Sequence, residues 1–99
     1  MIRFSAGASR ELEADFRRYE RQREGRGHRF LAAIDVVLAR IVTAPLSFPL
    51  LRPPHVRSAK VARFPYRVVF LVIREDVRVL AVAHGRRRPG YWQRRLQEG

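Results

Sequence analysis

The spacing of hydrophobic positions along this chain changes twice. Ile2-Arg3-Phe4 alternates, the pattern of a short edge strand. From Ala8 the step lengthens: Ala8, Leu12, Phe16 and Tyr19 recur every three or four residues. That is one apolar helical stripe, with Arg10, Arg17, Arg18 and Arg21 outside it. Ser5 stands where an N-cap belongs, and Glu11, Glu13 and Asp15 fall early in the helix, where carboxylates suit its positive end. Gly25 and Gly27 are expected to close it. A stronger stripe follows in Phe30, Leu31, Ile34, Leu38, Ile41 and Val42, widened by Val37 and stopped by Pro45. Two helices joined by a tight Gly-containing turn pack antiparallel, and together they can cover one face of a sheet.

Residues 45–54 read as a proline-rich connection that Phe48, Leu50 and Leu51 tack down. From Val56 the period returns to two. Val56, Ser58, Lys60, Ala62 and Phe64 face one way, and Arg57, Ala59, Val61 and Arg63 the other. Phe64-Pro65-Tyr66 marks a boundary, because proline cannot donate to a strand ladder. Residues 67–73 are almost continuously apolar and rich in β-branched and aromatic side chains, as in a strand covered on both faces. Arg74-Glu75-Asp76 is of hairpin length. Val77, Val79, Ala81 and Ala83 then share one face, opposite Arg78, Leu80, Val82 and His84. Residues 89–96 suit a short turn or helix. The predicted order is strand, helical hairpin, three-stranded antiparallel meander, short tail: an α+β layer fold.

The 99 residues have room for one domain and no second core. With no cysteine there is no disulfide framework or thiolate metal site, which fits a reducing cytoplasm. The longest apolar run, residues 68–73, is far short of a membrane span of about 20 residues, so no membrane association is expected. Charge changes the picture most. Lys and Arg number 21 against 9 Asp and Glu, a net charge of +12. Such an excess predicts a polyanionic or strongly acidic partner.

Metal, nucleotide-cofactor and hydrolase chemistry find no support. His28, His55 and His84 are scattered, and neither a Gly-rich phosphate loop nor a nucleophile elbow is present, so no cofactor or metal is expected. The meander instead gathers a basic set: Arg57, Arg63, Arg67 and Arg78, then His84, Arg86, Arg87 and Arg88. Tyr66, Tyr91 and Trp92 interleave with it. Arginine forks take phosphates bidentately and aromatic faces stack on bases. Arginine with histidine or tyrosine can support phosphodiester cleavage if a general base and cations meet the reacting phosphate. The same residues serve equally as a solvated charged face, with Tyr91 and Trp92 packed as a C-terminal lid.

Certain segments are specific. Phe30-Leu31 followed by Pro45, Arg63-Phe64-Pro65-Tyr66 opening a strand, and His84-Gly85-Arg86-Arg87-Arg88-Pro89-Gly90-Tyr91-Trp92 with Arg95 resemble the ParE/RelE superfamily of type II toxin–antitoxin toxins. The likeness runs through residues 1–99 as one domain. It implies a helical hairpin on a small antiparallel sheet. It also implies a cognate antitoxin whose acidic, partly disordered segment folds over the toxin in a hetero-oligomer, with Leu12, Phe16, Tyr19, Arg67 and Arg78 as docking positions. Activity divides the superfamily: ParE-type members poison DNA gyrase, and RelE-type members cut messenger RNA on the ribosome. For the second, the implied catalytic set is Arg57, Arg63, His84, Arg86 and Tyr91. For the first, the implied target-binding set is Arg86, Arg87, Arg88, Tyr91, Trp92 and Arg95. The His-Gly-Arg-Arg ending with Tyr-Trp and a following arginine is more similar to the ParE and plasmid-stabilisation branch. The resemblance thus favours a non-catalytic gyrase inhibitor over the alternative of a ribosome-dependent endoribonuclease.

Overall fold

The computed structural model describes residues 1–97. Five strands and two helices form in the order β1 (Ile2–Phe4), α1 (Ala6–Gln22), α2 (Arg26–Thr43), β2 (Leu50–Arg52), β3 (Val56–Lys60), β4 (Tyr66–Ile73) and β5 (Asp76–His84). The strands make one sheet in the order β1-β5-β4-β3-β2. The three-stranded meander forms as its spacing predicts, and β1 adds to β5 in parallel, so the sheet is mixed rather than wholly antiparallel. The helical hairpin covers one face.

The main core lies between hairpin and sheet. Phe30, Ile34, Val37 and Ile41 of α2 are at most 2 % exposed and meet Val68, Phe70, Val79 and Val82 of the sheet. Each such apolar side chain removed from water contributes about 1.5–3 kcal/mol. Tyr19, Phe30, Phe64 and Tyr66 close the hairpin end as an aromatic cluster with ring centroids 5.0–6.3 Å apart. Val42, read as part of the helical stripe, is 55 % exposed instead. It stands one step past the buried row that ends at Ile41.

Ser5 caps α1, its side chain accepting from the N–H of Ala8 at 3.0 Å. The helix ends at Gln22, so the two glycines do not close it. Gly25 takes a left-handed φ of 86° ahead of α2, where a side chain is strained. Gly27 lies inside the first turn of α2, where a Cβ would come within 2.6 Å of the carbonyl oxygen of Phe16. The two helices are in close contact there. Glu20 reaches across to accept from the N–H groups of Gly25 and Gly27, both at 2.9 Å, and caps α2 from outside.

The 45–54 connection holds a short 3-10 turn and the edge strand β2, which the proline content concealed. Phe48 is buried edge-on against Phe70, while Leu50 and Leu51 stay about half exposed, 48 % and 47 %. The first meander strand is shorter than its alternation suggested. It stops at Lys60, and Arg63 (φ 71°) turns the chain into β4.

The alternation read for residues 77–84 breaks in the middle. Val69 pairs with Ala81 but Phe70 pairs with Val79, leaving Leu80 as the extra residue of a β-bulge. Val77 and Val79 face the helices, and after the bulge Val82 takes their place. Ala81 and Ala83 pass to the opposite, helix-free face with Val56, Val69 and Leu71.

Candidate functional site

The bulge and the shortness of β1 create the setting for the site. β1 covers β5 only as far as Val79, so among the described residues the rest of that edge of β5 has no strand beside it. An open edge invites other chains to pair with it. Here side chains satisfy it. The Ser5 hydroxyl donates to the Leu80 carbonyl at 3.1 Å, as does Arg95 Nη1 at 2.9 Å, and the Val82 N–H donates to Glu11 Oε1 at 3.0 Å.

Glu11 is the hub. Besides Val82, its carboxylate accepts from the Tyr91 hydroxyl at 2.6 Å and from both terminal nitrogens of Arg95 at 2.9 and 3.2 Å. Arg87 lies 3.8 Å from it. Both ends of the Glu11–Arg95 pair are mostly buried, with side-chain exposures of 13 % and 16 %. Burial and the hydrogen bond to Glu11 push the Tyr91 phenol well above its ordinary pKa. Gly7 makes room for this arrangement, since a Cβ there would fall 2.4 Å from Arg95 Nε. Sequence reasoning took Glu11 for a partner of the helix dipole and did not single out Gly7. The signal was present in the helical spacing: Ala8, Glu11, Asp15 and Arg18 run along one side of α1, directly beside the apolar stripe.

The chain after β5 is thereby folded back over the sheet. Trp92, 5 % exposed, packs with Leu80, Ala81 and Val69 on the helix-free face. Arg87 lies over the Tyr91 ring with its guanidinium carbon 3.9 Å from the centroid. Arg86 and Arg88 are exposed. Between this segment and the strands runs a groove of about 630 Å³, lined by the cations Arg52, Lys60, Arg67, Arg87 and Arg88 over a floor that includes Leu51, Val69, Ala83 and Trp92. Among the described residues no carboxylate lines it. Lys60 and Arg67 are direct cross-strand partners, and like charges in that relation repel. The groove is therefore preset for an anion.

A second groove, of about 410 Å³, is apolar. Phe4, Leu12, Phe16 and Leu31 line it between the hairpin and β1, with Ser9 and Glu13 at its rim. Tyr19, grouped with Leu12 and Phe16 in the sequence, lies instead in the core at 4 % exposure. Arg78 is on the helix-free face in one row with Arg3 and Leu71, four residues along β4 from Arg67.

The residues implied for RNA cleavage are not gathered at one point. Arg57 lies on β3 between β2 and β4, pairing with Leu50 on one side and Phe70 on the other, and its Nη1 donates to the Phe48 carbonyl at 2.6 Å. His84 pairs with Tyr66, four residues further along β4, or about 13 Å at the rise of a strand. The His84 ring packs edge-on against Tyr66, and its Nδ1 accepts from the N–H of Arg86 at 3.0 Å. Arg63 is an exposed turn residue. Burial also raises the Tyr66 phenol far above its ordinary pKa, while Arg18 donates to its oxygen at 2.5 Å. Among the described residues no group of three or more His, Asp or Glu is placed to hold a metal ion, and no helix is long and apolar enough to cross a membrane.

No curated protein sequence matches the chain. Among solved structures, a chain described as "Chromosomal ParDE TA system from P. aeruginosa" superposes with a TM-score of 0.60 at 18 % identity, covering 84 % of this chain and 92 % of that one. At that identity the likeness speaks for the fold. The sequence profile described as "ParE toxin of type II toxin-antitoxin system, parDE" matches residues 2–89, most of the chain. The chain belongs to the ParE toxin family of type II toxin–antitoxin systems.

Proposed function

We propose that this ParE-family toxin arrests growth by inhibiting DNA gyrase, without catalysis of its own, and that an acidic antitoxin neutralises it. The observation that carries this reading is the C-terminal segment. Tyr91, Trp92 and Arg95 anchor it to the body, and it displays Arg86, Arg87 and Arg88 beside a groove lined by Arg52, Lys60 and Arg67. A rigid, projecting basic surface suits capture of a large target. The separation of Arg57 from His84 offers little to a concerted cleavage of RNA, which needs base and cations within reach of one phosphate.

The antitoxin finds two complementary features. The apolar groove of Phe4, Leu12, Phe16 and Leu31 suits an amphipathic helix, and the row of Lys60 and Arg67 suits carboxylates of an extended acidic segment. Wrapping both would explain how one disordered segment silences a chain of net charge +12.

Induced expression in a bacterial host tests the reading, with chromosome integrity and transcript ends mapped in the same cells. Arrest accompanied by double-strand DNA breaks and intact messages is the expected result. Arrest with intact DNA and codon-positioned message cuts would transfer the assignment to ribosome-dependent cleavage.

A further inference from the structure

The basic loop after β5 is shaped by short-range turns of its own. The Gly85 N–H donates to the Pro65 carbonyl at 2.8 Å, the Arg86 N–H to His84 Nδ1 at 3.0 Å, the Arg87 N–H to the His84 carbonyl at 3.0 Å and the Tyr91 N–H to the Arg88 carbonyl at 3.2 Å; only the first of these reaches outside residues 84–91. Beyond Arg88 the chain turns through Gly90, at φ 79°, and the next fixed points are Tyr91 and Trp92. Trp92 sets how deep the segment sits, because an apolar contact is not directional. Direction comes from the Tyr91 hydroxyl, aimed at Glu11, and from the two-pronged contact of Arg95 with the same carboxylate. Arg87 lies on the Tyr91 ring, so the ring's orientation decides where that guanidinium points. Glu11 is itself immobilised by the Val82 N–H, which makes it a fixed acceptor on the sheet edge rather than the end of a free side chain.

We propose that Glu11 is a positioning residue for target capture: through Tyr91 and Arg95 it fixes the conformation in which the C-terminal segment presents Arg86, Arg87 and Arg88. The inference rests on the reading that this segment meets gyrase. Glu11 touches no target in this scheme; it acts only through its partners. An acid on the first helix thus sets the geometry of a loop some 75 positions later in the chain.

Glu11→Gln tests it, since the amide keeps the shape and one acceptor but cannot balance Arg95 and Arg87. Trp92 is the single tryptophan, so its fluorescence quenching reads the docking of the segment directly. In the toxin freed of antitoxin, the variant is expected to expose Trp92 to quencher. It should also raise the concentration for half-inhibition of supercoiling at least about tenfold, the weight of one charge-assisted hydrogen bond. Antitoxin affinity should stay within about threefold, because the apolar groove and the Lys60–Arg67 pair lie on elements the substitution leaves in place. Val37→Ala, in the helix–sheet core away from the segment, is the comparison. It lowers stability while leaving Trp92 shielded and inhibition as in the wild type. Wild-type inhibition by Glu11→Gln, or an equal loss in Val37→Ala, overturns the proposal. The double variant R86E/R88E tests the underlying reading separately. If it inhibits like wild type, the segment is not the contact and both ideas fall. If it is inactive while Glu11→Gln is fully active, only the role of Glu11 falls.

Discussion

Replacing Gly7 with alanine should destabilise this toxin, against the usual sign for a helix. Gly7 is the second residue of α1, and Gly→Ala within a helix ordinarily contributes about 0.5–1 kcal/mol through backbone entropy. Here the new Cβ would lie 2.4 Å from Nε, 2.5 Å from Cζ and 2.9 Å from Nη2 of Arg95. The guanidinium must move, yet it is held by the Glu11 carboxylate and the Leu80 carbonyl. Losing one charge-assisted hydrogen bond costs about 1.5–3 kcal/mol, so the net change is a loss of roughly 1–2 kcal/mol. For a chain of this length that lowers the thermal midpoint by about 5–10 °C. The assay is thermal or urea unfolding of wild type and variant, repeated in an Arg95→Ala background. With the guanidinium gone, the same Gly7→Ala change should become neutral or stabilising. A Gly7→Ala variant as stable as wild type, or a loss undiminished in the Arg95→Ala background, would refute the reasoning.

Gly27→Ala should cost about 1–3 kcal/mol in unfolding experiments, because its Cβ meets a backbone oxygen of α1 that cannot swing away. The N–H groups of Gly25 and Gly27 hold the Glu20 carboxyl below its ordinary pKa. Its contribution is therefore present above the unfolded pKa and lost as pH falls through the folded one, and Glu20→Gln should flatten the fall in thermal midpoint between about pH 5 and pH 3. Tyr66 and Tyr91 have raised pKa values in the folded chain, so the stability linked to them is complete below about pH 10 and declines above it as the unfolded phenols ionise. Spectroscopic titration should find both phenols still protonated at about pH 11 while the chain is folded. Leu12→Ser should weaken antitoxin binding at least about tenfold by calorimetry, with gyrase inhibition by the free toxin retained.

What was legible in the sequence is what local periodicity encodes. The stripe Phe30, Ile34, Val37, Ile41 and the apolar run of β4 lead directly to the layers, and Ser5 is the cap that its position suggests. The misreadings arise where contacts distant in sequence decide. Leu80 looks like any strand residue, yet the pairing of Val69 and Phe70 forces it into a bulge and reverses the faces of Ala81 and Ala83. Gly27 resembles a helix terminator until the first helix is seen packed against it. Glu11 is the clearest case. A carboxylate early in a helix has an adequate local explanation, and only the returning C-terminal segment shows that it faces Tyr91 and Arg95. The basic character of the site was plain from composition, whereas its division between anchored and presented arginines was not. Arg95 is held by the body of the protein, and Arg86 and Arg88 project from it.

The central claim is most directly tested with purified gyrase in a plasmid supercoiling and cleavage assay, using toxin released from its antitoxin. The account predicts loss of supercoiling with accumulation of linear plasmid, abolished by R86E/R88E and by prior addition of antitoxin. Unimpaired supercoiling at excess toxin, from a preparation that still arrests cells, would contradict it.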